Sequence, residues 1–530
     1  MPGVVVADPA PSQAEEQPSF RTALRSPSVS ILAASRAASK LATAIVSYGA
    51  MVYLAIQGAT QLQISLVSAS SYAAALAFGI QGGSFSDSVS KRLALVAGYI
   101  AQAALCFLVP LFWGTDVAAL MFIMFFASAL NQVISPSIKS AVALVSTPGQ
   151  LATVSATVTM AGSIASAVGS SFLAPVMIKY TGMRAILLVA GIVYLIGAVR
   201  TLKLPATERT LKVTDAVRSV EWKPQALSLR WTAAWIVAHS AVATMILSGA
   251  IVVGLFEAFN TLMPVYIRDV LDANPANAVY IFAPAGIGFA LATFTTPKLI
   301  SWFGERKLAV FSLVMLTLST ILFGAVELVA PYLAPFSPLA VFGWLLGIEI
   351  NEKVLAASLI AVPANFGSTA AGATVQVYIN RRVPLVGQGA TFGLQEVVEN
   401  ALTLVAVIVL GVIANVVGAQ YVFLFAPVVL FGVVLWLIRY AYQRSGRPEA
   451  LSPRGAFEVL VDGSLDDVVA STAPASPKKS ARRQTRPKSG TSSAVSTKRG
   501  GAASSGTRSG TSTRTSGAAK ATNPKSKKSE

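Results

Sequence analysis

"GGSFSDSVSKR", Gly82–Arg92, interrupts two long apolar runs with an aspartate, four serines and two adjacent cations. The flanking runs, 62–83 and 93–113, each meet the length a bilayer crossing needs, about 20 mostly apolar residues. A short charged break between two such runs reads as a loop at the membrane face, with Lys91 and Arg92 holding it on one side. A weaker echo, "TPKLISWFGERK", returns at Thr296–Lys307.

Composition supports that reading along the chain. The 530 residues are 54% hydrophobic and 12% charged, with a mean hydropathy of +0.64, where soluble domains carry roughly 25% charged residues. So large a charge deficit means that apolar surface faces lipid. Apolar runs set against polar breaks give about twelve spans: 33–57, 62–83, 93–113, 117–138, 151–178 and 184–204, then 236–266, 278–300, 308–330, 338–360, 390–417 and 421–443. The expected fold is an all-α polytopic membrane protein with twelve transmembrane helices in two pseudo-symmetric six-helix bundles. The organisation follows: a disordered lead over 1–32, bundles over 33–204 and 236–443, a central linker over 205–235, and a basic tail over 444–530.

Orientation comes from the short loops. Lys91 with Arg92, Arg306 with Lys307, and Arg381 with Arg382 fall in alternate loops on one side, and basic loops stay in the cytoplasm. The central linker, with Arg209, Lys212, Arg218 and Lys223, shares that side. Val213, Val217 and Val220 recur there at helical spacing beside Trp222, which fits an interfacial helix or a solvated linker. Both termini are expected in the cytoplasm of a protein of the cell membrane. The first thirty residues lack the basic start and apolar core of a cleaved signal peptide.

Of the net charge of +18, about +13 lies in Ser476–Glu530, fourteen Lys/Arg against one acid. That tail is too poor in large apolar residues to fold. Beside a membrane it is attracted to anionic lipid, by about 1 kcal/mol per basic residue near the surface, and it shows no specific nucleic-acid signature. Cys106 and His239 are single residues of their kinds, so neither a disulfide nor a structural zinc cage is expected. No cofactor loop or nucleophile–base pair is present, so neither an enzyme nor a cofactor is expected.

The two quoted stretches each follow the second span of their half and precede the third. Gly83, Asp87, then Lys91-Arg92 resembles the loop signature of the major facilitator superfamily. The second copy keeps Gly304 and Arg306-Lys307, with Ser301 where the aspartate would stand. "NTLMPVYIRDVLDANPANAVYIFAPAGIGFALA", "NRRVPLVGQGATFG" and "SPSIKSAVALVSTPGQLATVSATV" look like the macrolide-efflux, or drug:proton antiporter type 3, branch over about residues 20 to 443. The chain departs from that branch at Gln388 and Ala390, where it usually has arginines, and at Ser170, where antiporters have proline after glycine. The resemblance implies alternating access, an Asp87 loop that latches one conformation, a monomer, and proton-coupled export of amphiphilic small molecules. Import or facilitation of a polar metabolite is the alternative, and a non-transporting sensor or scaffold is a third reading.

Charges within spans cost about 2.5–3.5 kcal/mol each on insertion scales and therefore mark functional candidates. Glu257, in span seven, has no cation within a helical turn; a desolvated carboxyl is a place where a proton can exchange. "GIEINEKV", assigned to span ten, holds Glu349, Glu352 and Lys353, with Glu349 and Lys353 on one helical face. Spans one, four, seven and ten line the family's central cavity, so by resemblance this cluster is the leading site candidate, with Lys40 balancing Glu349 across the halves. Arg36 is read as snorkelling. Asn131 and Gln132 add polar groups in span four, Lys139 is placed at the interface, and Glu396 and Glu399 are placed at the cytoplasmic gate. Tyr48, Tyr53, Phe256, Phe259 and Trp344 either shape a pocket or pack.

Overall fold

A computed structural model describes residues 26–146, 150–204, 240–346, 349–382 and 385–444. The central linker, the basic tail and His239 lie outside the described residues. Local sequence sets where each helix starts and stops. Pro27 opens α1 (Pro27–Ile56), since proline's fixed φ suits a first helical turn; the chain is therefore helical from residue 27, within the stretch expected to lead up to residue 32. Thr60 and Gln63 form a reciprocal capping box at the start of α2 (Gln61–Ser88). Ser90 caps α3 (Lys91–Phe112) and Asp116 caps α4 (Val117–Val145) by accepting backbone N–H bonds, satisfying donors that the first helical turn leaves open.

α5 (Leu151–Val168) passes through a π-helical stretch at Gly169–Leu173 into α6 (Ala174–Thr201). The continuous apolar stretch from 153 to 201 is 49 residues long, about twice what a bilayer requires. Gly182 resolves this: at φ 77° it breaks the helix and turns the chain back, a conformation that glycine adopts without a Cβ penalty. The second half contains α7 (Ser240–Asp269), α8 (Val279–Phe303), α9 (Glu305–Gly324), the short α10 (Val326–Leu333) and α11 (Pro338–Leu346), then α12 (Glu352–Arg382), α13 (Leu385–Val417) and α14 (Ala419–Arg444). With the break at Gly182, the long apolar helices make twelve crossings among the described residues.

The helix pairing repeats between halves. In the first, α1 packs on α5 and α6, α2 on α4, and α3 on α4 and α6. In the second, α7 packs on α13 and α14, α8 on α12, and α9 on α12 and α14. Small residues allow the close approaches: a Cβ at Gly82 would meet the Gln132 carbonyl oxygen of α4 at 2.5 Å, and one at Gly288 would drive into the Val362 carbonyl oxygen of α12, as expected where helix packing in lipid depends on contact. Large apolar side chains such as Leu111, Phe112, Phe311 and Val416 face outward, the pattern of a lipid-facing surface.

Among the boundaries that differ from the sequence reading, two in the second half bear on candidate residues. The ninth crossing is α9, which ends at Gly324, not 330. The tenth crossing is α12, beginning at Glu352, whereas the apolar run assigned to it is the nine-residue α11. The physical signal is at the helix start. Asn351 accepts the Lys353 backbone N–H at 3.0 Å, and Glu352 provides negative charge at the positive end of the helix dipole. A polar cluster read as the middle of a span is the N-terminal turn of one.

Candidate functional site: a polar cavity between the halves

α1, α2, α4 and α5 from one half, with α7, α8, α12 and α13 from the other, enclose a cavity of about 760 Å³. Its walls are rich in hydroxyl and amide groups. Glu257 lines it from α7, and the Tyr72 hydroxyl of α2 donates to its Oε2 at 3.3 Å. Arg36 and Lys40 line it from α1, one turn apart on one face, with Glu396 of α13 in the opposite half. Gly162 of α5 makes room for both cationic stems: a Cβ there would lie 3.1 Å from Arg36 Cγ and 3.4 Å from Lys40 Cγ. Asn131 and Gln132 of α4 complete the polar wall, while Tyr48 lies edge-on to Phe282 at 5.1 Å.

The end of the molecule carrying the loops at Lys91, Arg306 and Arg381 is here called the basic end. Several contacts join the halves at mid-depth or toward the opposite end. Ser68 Oγ and Thr261 Oγ1 are 3.0 Å apart, and Arg268 Nη1 donates to the backbone carbonyls of Ala55 and Ala59 at 3.0 and 3.2 Å.

Glu257, Lys40, Asn131 and Gln132 are thus brought to one cavity. The "GIEINEKV" cluster is elsewhere. Glu349 and Glu352 are exposed, and Lys353 bridges Asp272 at 2.7 Å and Glu327 at 3.2 Å at the end opposite the basic one. The placement of Glu349, Glu352 and Lys353 in a central site is therefore corrected, because the tenth crossing starts where they stand. The pairing of Lys40 with Glu349 falls with it; Lys40 instead interacts electrostatically with Glu396 and Glu257. Glu396 is also corrected, from a gate residue to a cavity wall. The eleventh crossing begins at Leu385, about three helical turns before it. Glu399 accepts from Gln395 at 2.6 Å.

At the basic end, Gly83 and Asp87 fall within α2, which continues to Ser88 and leaves only Val89 and Ser90 as a connection. The quoted stretch is thus mostly helix and not loop; the Asp87 side chain lies outside the described residues, as does that of Trp344. Lys91 Nζ donates to the Ser86 carbonyl at 2.7 Å, where the last turn of α2 leaves an acceptor open. Arg92 is half-buried beside it. In the second copy, Gly304 turns the chain at φ 82°, Arg306 lies over the Tyr378 ring and donates to its hydroxyl at 3.2 Å, and Lys307 is exposed. Glu305 pairs with Arg381 at 2.8 Å. Phe256 lines the cavity, whereas Phe259 stacks on Phe423 and Tyr53 bonds Thr115.

Arg36, Tyr72 and Glu396 are wall residues beyond those expected from the sequence. The spacing of Arg36 and Lys40 was a signal that both face one way. Tyr72 had none, because its role depends on a carboxylate 185 residues away.

Two repeated sets of six crossings around a polar cavity define a secondary transporter. The Major Facilitator Superfamily model matches residues 32–361, and the chain belongs to that family. No curated protein matches the sequence. Among solved structures, the nucleoside transporter NupG superposes with a TM-score of 0.58 at 15% identity, covering 78% of this chain and 100% of that one. A POT family transporter in complex with 5-aminolevulinic acid gives 0.55 at 13% identity, covering 78% and 96%. At those identities the likeness concerns the fold.

Proposed function

We propose that the protein is a proton-coupled secondary transporter of a polar small molecule, working by alternating access in the cytoplasmic membrane. The observation that carries this reading is Glu257, a carboxylate on the cavity wall whose hydrogen-bond partner, Tyr72, comes from the other half. A proton taken up or released there changes a contact between the halves, which ties protonation to their relative movement. The basic end is the cytoplasmic one by the distribution of Lys and Arg in short loops, which places both termini inside. Export is the direction favoured by the stretches that look like the macrolide-efflux branch. The hydroxyl- and amide-rich walls favour a polar cargo over an amphiphilic drug, and they also support a second reading, uptake of a polar metabolite. The protein works as a monomer, and its tail associates with anionic inner-leaflet lipid.

Full-length protein in proteoliposomes tests the coupling. With a pH gradient imposed, Glu257→Gln should reduce solute-dependent proton flux by about tenfold or more while solute exchange without a gradient persists. Unchanged proton flux removes Glu257 as the carrier. Comparing solute accumulation in cells with that in everted vesicles separates export from uptake.

A further inference from the structure

Arg36 and Lys40 stand on α1 and Glu396 stands on α13, across the cavity. Each cation interacts electrostatically with Glu396, and Lys139 adds positive charge near Lys40. Yet no ion pair joins them among the described residues, where the ion pairs found are those of Arg268, Lys353 and Arg381. Charges within a membrane are costly unless paired or used. The cavity walls also carry neutral donors and acceptors such as Asn131, Asn365 and Asn400.

From this separation of charge, resting on the transport reading above, we propose that the cargo is zwitterionic: a small solute whose carboxylate meets Arg36 and Lys40 and whose ammonium group meets Glu396. Such a solute satisfies both poles at once and links the two halves through itself, whereas a lone anion or cation leaves one pole uncompensated. Glu257, which also interacts with Lys40, handles the proton beside Tyr72. The poles lie on different halves, so binding of a bipolar solute favours their approach at the basic end.

The test uses full-length protein in detergent, with binding read by thermal shift and by competition. The probes are the common L-amino acids, β-alanine and alanyl-alanine, each with its N-acetyl and methyl-ester forms. At least one zwitterion should bind, and blocking either its carboxylate or its amine should weaken binding by about tenfold or more, since hydrogen bonds to charged groups are worth about 1.5–3 kcal/mol. Lys40→Gln should weaken discrimination between acid and ester severalfold, with Lys40→Arg restoring it. Glu396→Gln should abolish discrimination between amine and N-acetyl forms, with Glu396→Asp retaining part of it. The charge-preserving variants keep the test decisive if a neutral variant misfolds. Absence of binding by any zwitterion, binding that survives both blocks, or discrimination unchanged in Lys40→Gln and Glu396→Gln each overturns the proposal. Proton-driven flux of a singly charged solute would overturn it while leaving the transport reading intact. Zwitterion binding without flux of any solute would do the reverse.

Discussion

Glu257 and Tyr72 form a hydrogen bond between the two halves on the cavity wall. The carboxylate sits on the second half and the hydroxyl on the first, 3.3 Å apart. Tyr72→Phe keeps the ring and removes the donor, so solute-driven proton flux should fall severalfold with little change in melting temperature. A large loss of folded protein would instead mark Tyr72 as structural. Glycines at the helix contacts differ in how much room they leave for a side chain. A Cβ at Gly288 meets backbone that cannot move aside, whereas one at Gly286, on the cavity wall, meets nothing within 4 Å. Gly288→Ala should lower stability by about 1–3 kcal/mol, read as a reduced melting temperature, and Gly286→Ala should leave folding unchanged. Glu257 was legible in the sequence, as an acid deep in an apolar run. Its partner was not, since nothing local marks a tyrosine that meets a residue so distant in the chain.

At the scale of elements, the last turn of α7 seals the end opposite the basic one. Arg268 is held by Asp269 at 2.6 Å and donates to two carbonyls where α1 ends. Arg268→Ala removes donors that bind the halves there, so the cavity should open more often toward that end. Cys106 is the sole cysteine and is buried, so an engineered cysteine at Thr261 can be followed against a low background. Its labelling by a membrane-impermeant thiol reagent added at that end should rise severalfold in the Arg268→Ala background. Equal labelling in both backgrounds would show that Arg268 does not hold the seal. The α11 segment is as apolar as a span but has nine residues, and hydropathy alone extended it through "GIEINEKV". The cap at Asn351 marks the helix start, and it depends on a side-chain geometry that periodicity does not record.

For the molecule as a whole, alternating access requires contacts that close one end to separate when the other end closes. The Ser68–Thr261 hydrogen bond at 3.0 Å joins α2 to α7. Replacing both with cysteine and oxidising them should cross-link the halves and halt transport, with reduction restoring it. Full transport after complete cross-linking would show that this contact does not separate during the cycle. Twelve crossings, the repeat of the charged break between second and third crossings, and the family followed from composition and pattern. Those properties arise locally: a run must be apolar to lie in lipid, and a charged break must sit where water is. Which charges face each other could not be read in that way. Lys40 opposes Glu396 rather than Glu349 because helix starts set depth: Glu349 precedes the first turn of α12, whereas Glu396 stands about three turns into α13. The cavity is made where eight helices from both ends of the chain converge, and contact between residues hundreds of positions apart is a property of packing in three dimensions.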